Sequence, residues 1–81
     1  MTVFEQLQQI AERASRQGLV APALAERIGA IVRHQLNFKH LGLELHSLLA
    51  QLAAAVDNNR QIAAAQIDEQ VQWIEDRHRR C

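Results

Sequence analysis

No tyrosine occurs in this chain, and its 81 residues include one cysteine, one proline, one tryptophan and three glycines. The lone thiol, Cys81, cannot close a disulfide within the chain. The glycines Gly18, Gly29 and Gly42 stand far apart, so no glycine-rich loop can cradle a phosphate. Neither sign of charge is in excess: nine basic and nine acidic residues cancel with the histidines neutral. Domains held to nucleic acid by bulk charge are strongly basic, so the composition argues against a nucleic-acid partner. There is also no run of about 20 apolar residues of the kind that spans a bilayer. The weakly charged stretch from His40 to Val56 is broken by Glu44, His46, Ser47 and Gln51. Met1-Thr2-Val3-Phe4-Glu5-Gln6 has neither the basic nor the apolar region of a secretory signal. With one unpaired thiol, the expected compartment is a reducing cytoplasm.

What is present is helix-forming. Alanine, leucine and glutamine dominate, and the β-branched and aromatic residues favoured in pleated sheets are few. Residues 1–81 read as a single all-α domain, a small bundle of three or four antiparallel helices. A chain this short buries only about 60% of its unfolded surface. Domains of this size commonly need a disulfide, a metal or a companion chain, and the first is excluded here.

Thr2 and Glu5 have capping-box spacing, and Phe4, Leu7, Ala11 and Ala14 then recur at helical intervals, widened by Val3 and Ile10. Gly18 is a natural C-terminal stop, so a helix is expected over 3–17. Leu19-Val20-Ala21 connects to Pro22, which suits a helical first turn because its missing N–H is not needed there. From there Leu24, Ile28, Ile31, Gln35, Phe38, Gly42, Leu45, Leu49, Leu52 and Val56 follow a 3.5-residue, coiled-coil-like repeat. One kinked central helix of about 52 Å would keep that phase unbroken. Asn37 and Gly42 favour a break near 37–41 instead, giving two helices of ordinary length, and this is the preferred expectation. Gly29 is expected to be a close-packing point between helices. Asp57-Asn58-Asn59 is a turn signal, and one of the three is expected to cap a last helix carrying Ala64, Ile67, Val71, Ile74 and His78 in one phase.

Few side chains suggest chemistry. His34, His40 and His46 are six apart, which rotates a helix by about 240° and prevents a shared face. His78 and Cys81 are three apart, but two ligands do not close a tetrahedral site, so no metal or other cofactor is expected. Ser15 and Ser47 lack the strained turn of a nucleophile elbow. Asp68/Glu69 and Glu75/Asp76 are adjacent pairs whose members point apart on a helix. No enzymatic activity and no small-molecule substrate are expected. Arg77-His78-Arg79-Arg80 would suit a helix C-terminus electrostatically. The same cluster, with the arginines of the second helix, defines an alternative: weak nucleic-acid binding.

The segments His34, Leu41-Gly42, Leu48-Leu49-Ala50-Gln51-Leu52 and Trp73-Ile74-Glu75 together resemble histidine phosphotransfer domains, over about half the chain. The resemblance implies a four-helix bundle with His34 as phosphoacceptor. The family pattern has a lysine three residues and a glycine four residues after that histidine. Asn37 and Phe38 stand there instead, and the phenylalanine ring is expected to obstruct a response regulator.

The leading expectation is a non-enzymatic, protein-binding helical module that acts as a homo-oligomer, such as an adaptor, a chaperone-like protein or an inhibitor. Val32, Leu36, Leu43 and Leu48 lie off the main seam, so the middle of the chain carries apolar surface on more than one side. Trp73 lies off the last helix's stripe, and large aromatics are enriched at interface hot spots. The candidate partner-binding residues are Val32, Leu36, Leu43, Trp73, Arg77 and Arg80. The expected partners are a second copy of the chain and another protein.

Overall fold

A computed structural model describes residues 2–61 and 64–80, without the side chains of Ala64 and Arg80. Helices α1 (Val3–Arg16), α2 (Pro22–Arg33), α3 (Gly42–Asp57) and α4 (Ala64–Arg80) follow one another, with a 3₁₀ helix, Gln35–Leu41, between α2 and α3. The all-α bundle expected from composition is what forms, and no strand occurs among the described residues.

The boundaries have local causes. The Thr2 hydroxyl accepts from the Glu5 amide at 3.2 Å, which makes the hydroxyl half of the capping box. Gly18 at φ 72° ends α1 as foreseen. The Leu19 amide donates to the Ala14 carbonyl (2.8 Å) and the Gly18 amide to that of Ser15 (3.1 Å), the two bonds of a Schellman motif. Leu19 and Val20 are both buried, so the turn is pinned to the core at its exit.

Asp57-Asn58-Asn59 does mark a turn, but it closes α3 and does not cap α4, which starts only at Ala64. Asn59 takes the left-handed conformation (φ 49°), and the Arg60 amide reaches the Ala55 carbonyl at 3.0 Å. The Asn58 side chain adds a bond to the Ala54 carbonyl at 2.8 Å. Short polar side chains here satisfy the orphan carbonyls of the preceding helix.

The break preferred over a continuous central helix occupies residues 34–41. The seam extrapolated from α2 nevertheless holds at Phe38, Leu45 and Leu52, all buried, and slips by one residue at Gly42 and Leu49, where Leu41 and Leu48 take the core positions. Leu48, expected off the seam, is fully buried with Leu45 and Leu52, while Leu49 is only partly buried. The close-packing role expected for Gly29 is also absent. A Cβ there would meet only the end of the Arg33 side chain of its own helix, at an ordinary 3.5 Å.

The core is wholly apolar among the described residues. Leu7, Ala11 and Ala14 come from α1, Leu24, Ile28 and Ile31 from α2, Phe38 and Leu41 from the 3₁₀ helix, and Ile67, Val71 and Ile74 from α4. No polar or charged residue is buried with them. α1 packs chiefly on α3 and α2, whereas α4 rests on α3, the 3₁₀ helix and α2. The Cα radius of gyration, 11.6 Å, equals the roughly 11.7 Å expected of a compact chain of this length. No described helix is long and apolar enough to cross a membrane.

Candidate functional site

The 3₁₀ helix makes a corner whose inner side is anchored and whose outer side is bare. Phe38 and Leu41 turn into the core at 7% and 4% exposure. The Phe38 ring stacks on the His78 imidazole of α4, with centroids 4.1 Å apart and planes 23° from parallel. His78 Nδ1 lies 2.6 Å from the Asn37 carbonyl oxygen. A carbonyl only accepts, so Nδ1 carries the hydrogen, and in the neutral ring the lone pair sits on Nε2. His40 extends the stack, its centroid 6.2 Å from that of His78. On the outer side, Leu36 and Leu43 are each 84% exposed. They sit seven residues apart, one in the 3₁₀ helix and one in the first turn of α3.

Trp73 is 44% exposed on α4. The Arg77 guanidinium carbon lies over its ring at 4.8 Å from the centroid, a cation–π pair. Gln70, one turn before Trp73, is hydrogen-bonded to Gln51 of α3. That bond sets this flank of α4 beside α3, and with the Asn37–His78 contact it fixes the two helices as antiparallel. The Arg80 side chain and Cys81 lie outside the described residues.

The basic residues proposed for nucleic-acid contact are largely occupied. Arg27 of α2 donates to Asp68, to Glu75 at 2.5 Å and to Gln72 at 3.3 Å, all on α4. Its pKa is raised, first by the hydrogen bond to Glu75 and then by Asp68, against the opposing effect of partial burial. Arg79 bonds Asp76 one turn earlier on its own helix. The structure therefore uses Arg27 to clasp α4 onto α2, a role that the sequence reading did not assign. The signal was available: Asp68, Gln72, Glu75 and Arg79 form a polar stripe at helical spacing beside the Ile67-Val71-Ile74 stripe.

A groove of about 810 Å³ runs between α1 and α2. Ala11, Ala25, Ile28, Gly29 and Val32 contribute its apolar surface, and Glu12, Arg16, Glu26 and Arg33 its charges. Val32 is partly buried against the core, so of the residues expected to be surplus Leu36 and Leu43 remain fully outside.

His34 is exposed and forms the C-terminal cap of α2, its amide bonded to the Ala30 carbonyl at 3.0 Å. The obstruction expected from Phe38 does not arise, because that ring is turned into the core. The His34 carbonyl accepts from the Asn37 amide at 2.9 Å, which joins the end of α2 to the 3₁₀ helix. No group of three or more histidine, cysteine, aspartate or glutamate side chains that could hold a metal occurs among the described residues.

Comparison of the chain with protein-family models, with curated proteins and with solved structures returned no match.

Proposed function

We propose that this chain is a non-enzymatic protein-binding module that acts as a homo-oligomer and presents its 3₁₀ corner to a second protein. The observation that carries the reading is the pair of leucines, Leu36 and Leu43, held 84% exposed on a corner that is itself anchored. Single exposed leucines are ordinary on any protein surface. These two differ in being fixed in place, because Phe38, Leu41 and the His78 contacts hold the backbone between them. An apolar anchor already held rigid loses little conformational entropy on binding. Trp73 with Arg77 over its ring makes a second candidate patch, on α4, and tryptophan and arginine are the residue types enriched at binding hot spots.

The test has two arms. Light scattering coupled to size-exclusion chromatography reads the oligomeric state at tens of micromolar, the range in which weak homo-oligomers form. A strict monomer there would remove the self-association half of the reading. Affinity capture from the native host with wild type, with Leu36→Ser/Leu43→Ser and with Trp73→Ala reads the other half. A specific partner retained by wild type and lost by the double variant supports the corner. Equal capture by all three would exclude it.

A further inference from the structure

We infer that His40 and His78 form an open chelate for a divalent transition-metal ion of the Zn²⁺ or Ni²⁺ class, which staples the 3₁₀ corner to α4. The inference is independent of the protein-binding role proposed above.

The tautomer of His78 is the first observation. Its Nδ1–H donates to the Asn37 carbonyl at 2.6 Å, which leaves the lone pair on Nε2. That lone pair has no protein partner among the described residues. A histidine that binds a metal through one nitrogen almost always gives its other N–H to a carbonyl, a carboxylate or water. Such a bond fixes the ring and raises the basicity of the coordinating nitrogen. His78 therefore has its supporting bond in place, and the stacked Phe38 ring at 4.1 Å holds the same imidazole a second time.

His40 supplies the second donor. Its ring centroid lies 6.2 Å from that of His78, with the planes 27° from parallel. A metal about 2.0–2.1 Å from each of two imidazole nitrogens sets the ring centroids about 5 Å apart at a tetrahedral angle, and about 6.5 Å apart when the two bonds oppose. The observed separation falls between these limits. His40 is exposed, and the outer torsion of a histidine is broad, so its ring turns a nitrogen towards the ion without moving the core. His34 and His46 differ in this respect: neither meets another ring among the described residues.

The surroundings select the class of ion. Arg27 and Arg79 line the cleft beside His78, and both are neutralised, by Asp68 with Glu75 and by Asp76. No third histidine or carboxylate joins the pair among the described residues, so water fills the remaining coordination positions. A donor set of imidazole nitrogen suits Zn²⁺, Ni²⁺ and Cu²⁺, whereas Mg²⁺ and Ca²⁺ require oxygen ligands. The two donors come from different elements and meet only while α4 is docked, so an ion that holds both stabilises the docked state.

Isothermal titration of Ni²⁺, Zn²⁺ and Mg²⁺ into the full chain tests this, with Cys81→Ser as the background to remove the one competing thiol. Ni²⁺ and Zn²⁺ should bind and Mg²⁺ should not. His40→Gln in that background should weaken binding at least about tenfold, since it leaves one donor where two acted together. His46→Gln should change it less than about twofold, because that ring stands apart. Paramagnetic Ni²⁺ should broaden the imidazole resonances of His40 and His78 before those of His34 and His46. Zn²⁺ should slow hydrogen exchange of the α4 amides in the background chain and not in His40→Gln. No binding of Ni²⁺ or Zn²⁺ up to about 1 mM overturns the proposal. So does binding that survives His40→Gln, an equal loss in His46→Gln, or broadening spread evenly over all four histidines.

Discussion

Helices α3 and α4 each place three aliphatic side chains fully in the core, and yet they are held by different means. Leu45, Leu48 and Leu52 of α3 face α1 and its neighbours across a purely apolar contact. Ile67, Val71 and Ile74 of α4 are supplemented by Arg27 on Asp68 and Glu75, by Gln51 on Gln70 and by His78 on Asn37 and Phe38. Each of the inter-element side-chain bonds described above has one end on α4. Burial of apolar area is non-directional and nearly indifferent to salt, whereas ion pairs are specific in geometry and screened. The molecule thus has a three-helix body sealed by packing and a fourth helix whose docking responds to its surroundings.

The largest expected effect falls on the body. Leu48→Ala should destabilise the whole chain by about 2–5 kcal/mol, read by urea denaturation, because a fully buried leucine leaves a cavity as well as losing transfer energy. If the loss were confined to α4 protection in hydrogen exchange, the division between body and fourth helix would be wrong.

Arg27→Met comes next, at about 1 kcal/mol, since the arginine and Glu75 side chains are each 31% exposed and Asp68 is 59% exposed. The signature is more telling than the size. Amides of α4 should lose protection while those of α1 keep it, and the salt sensitivity of α4 should vanish with the arginine. The pH dependence follows from the raised pKa of Arg27. For a base so shifted, the stabilisation is complete below its already high unfolded pKa and is lost only as pH rises through the still higher folded one. Between about pH 6 and 9 the Arg27 contribution should therefore be flat. A slope there that disappears in Arg27→Met would contradict this.

His78→Ala should cost about 1 kcal/mol through the lost hydrogen bond and ring contact. It should also loosen the 3₁₀ corner, seen as faster exchange of its amides. Unchanged exchange there would show that Phe38 and Leu41 hold the corner unaided. Gly29→Ala should stabilise the monomer by about 0.5–1 kcal/mol, because the Cβ has room and alanine is the better helix former. A destabilised monomer would mean that the groove is tighter than the structure has it. The smallest effect belongs to Leu36→Ser/Leu43→Ser, each within about 0.5 kcal/mol of wild type in thermal unfolding of the monomer.

Most of the fold was legible because its signals are local. Thr2, Gly18, Pro22 and the Asp57-Asn58-Asn59 run are punctuation with short-range mechanisms, and the stripes of α1 and α4 keep one period throughout. Leu48 was misplaced because it and Leu49 both flank the stripe of Leu45 and Leu52, and which of the two turns fully inward is set by the helices packed on α3, contacts that are not local. The Arg27 clasp was missed for a related reason. Its acidic partners lie more than forty positions away, and within the sequence they read equally well as a solvated face. Candidate binding residues are harder still. Exposure of Leu36 and Leu43 was foreseen from their departure from the seam, but the same departure was assigned to Leu48, which is buried.

The single indole has a practical consequence. Trp73 stands on the one helix whose docking relies on polar bonds, half-shielded and with a cation resting on its face. Its emission should therefore shift to longer wavelength when α4 lifts away, before the leucine-packed remainder unfolds. With no tyrosine to confuse the signal, the chain carries its own optical gauge of whether that helix is seated.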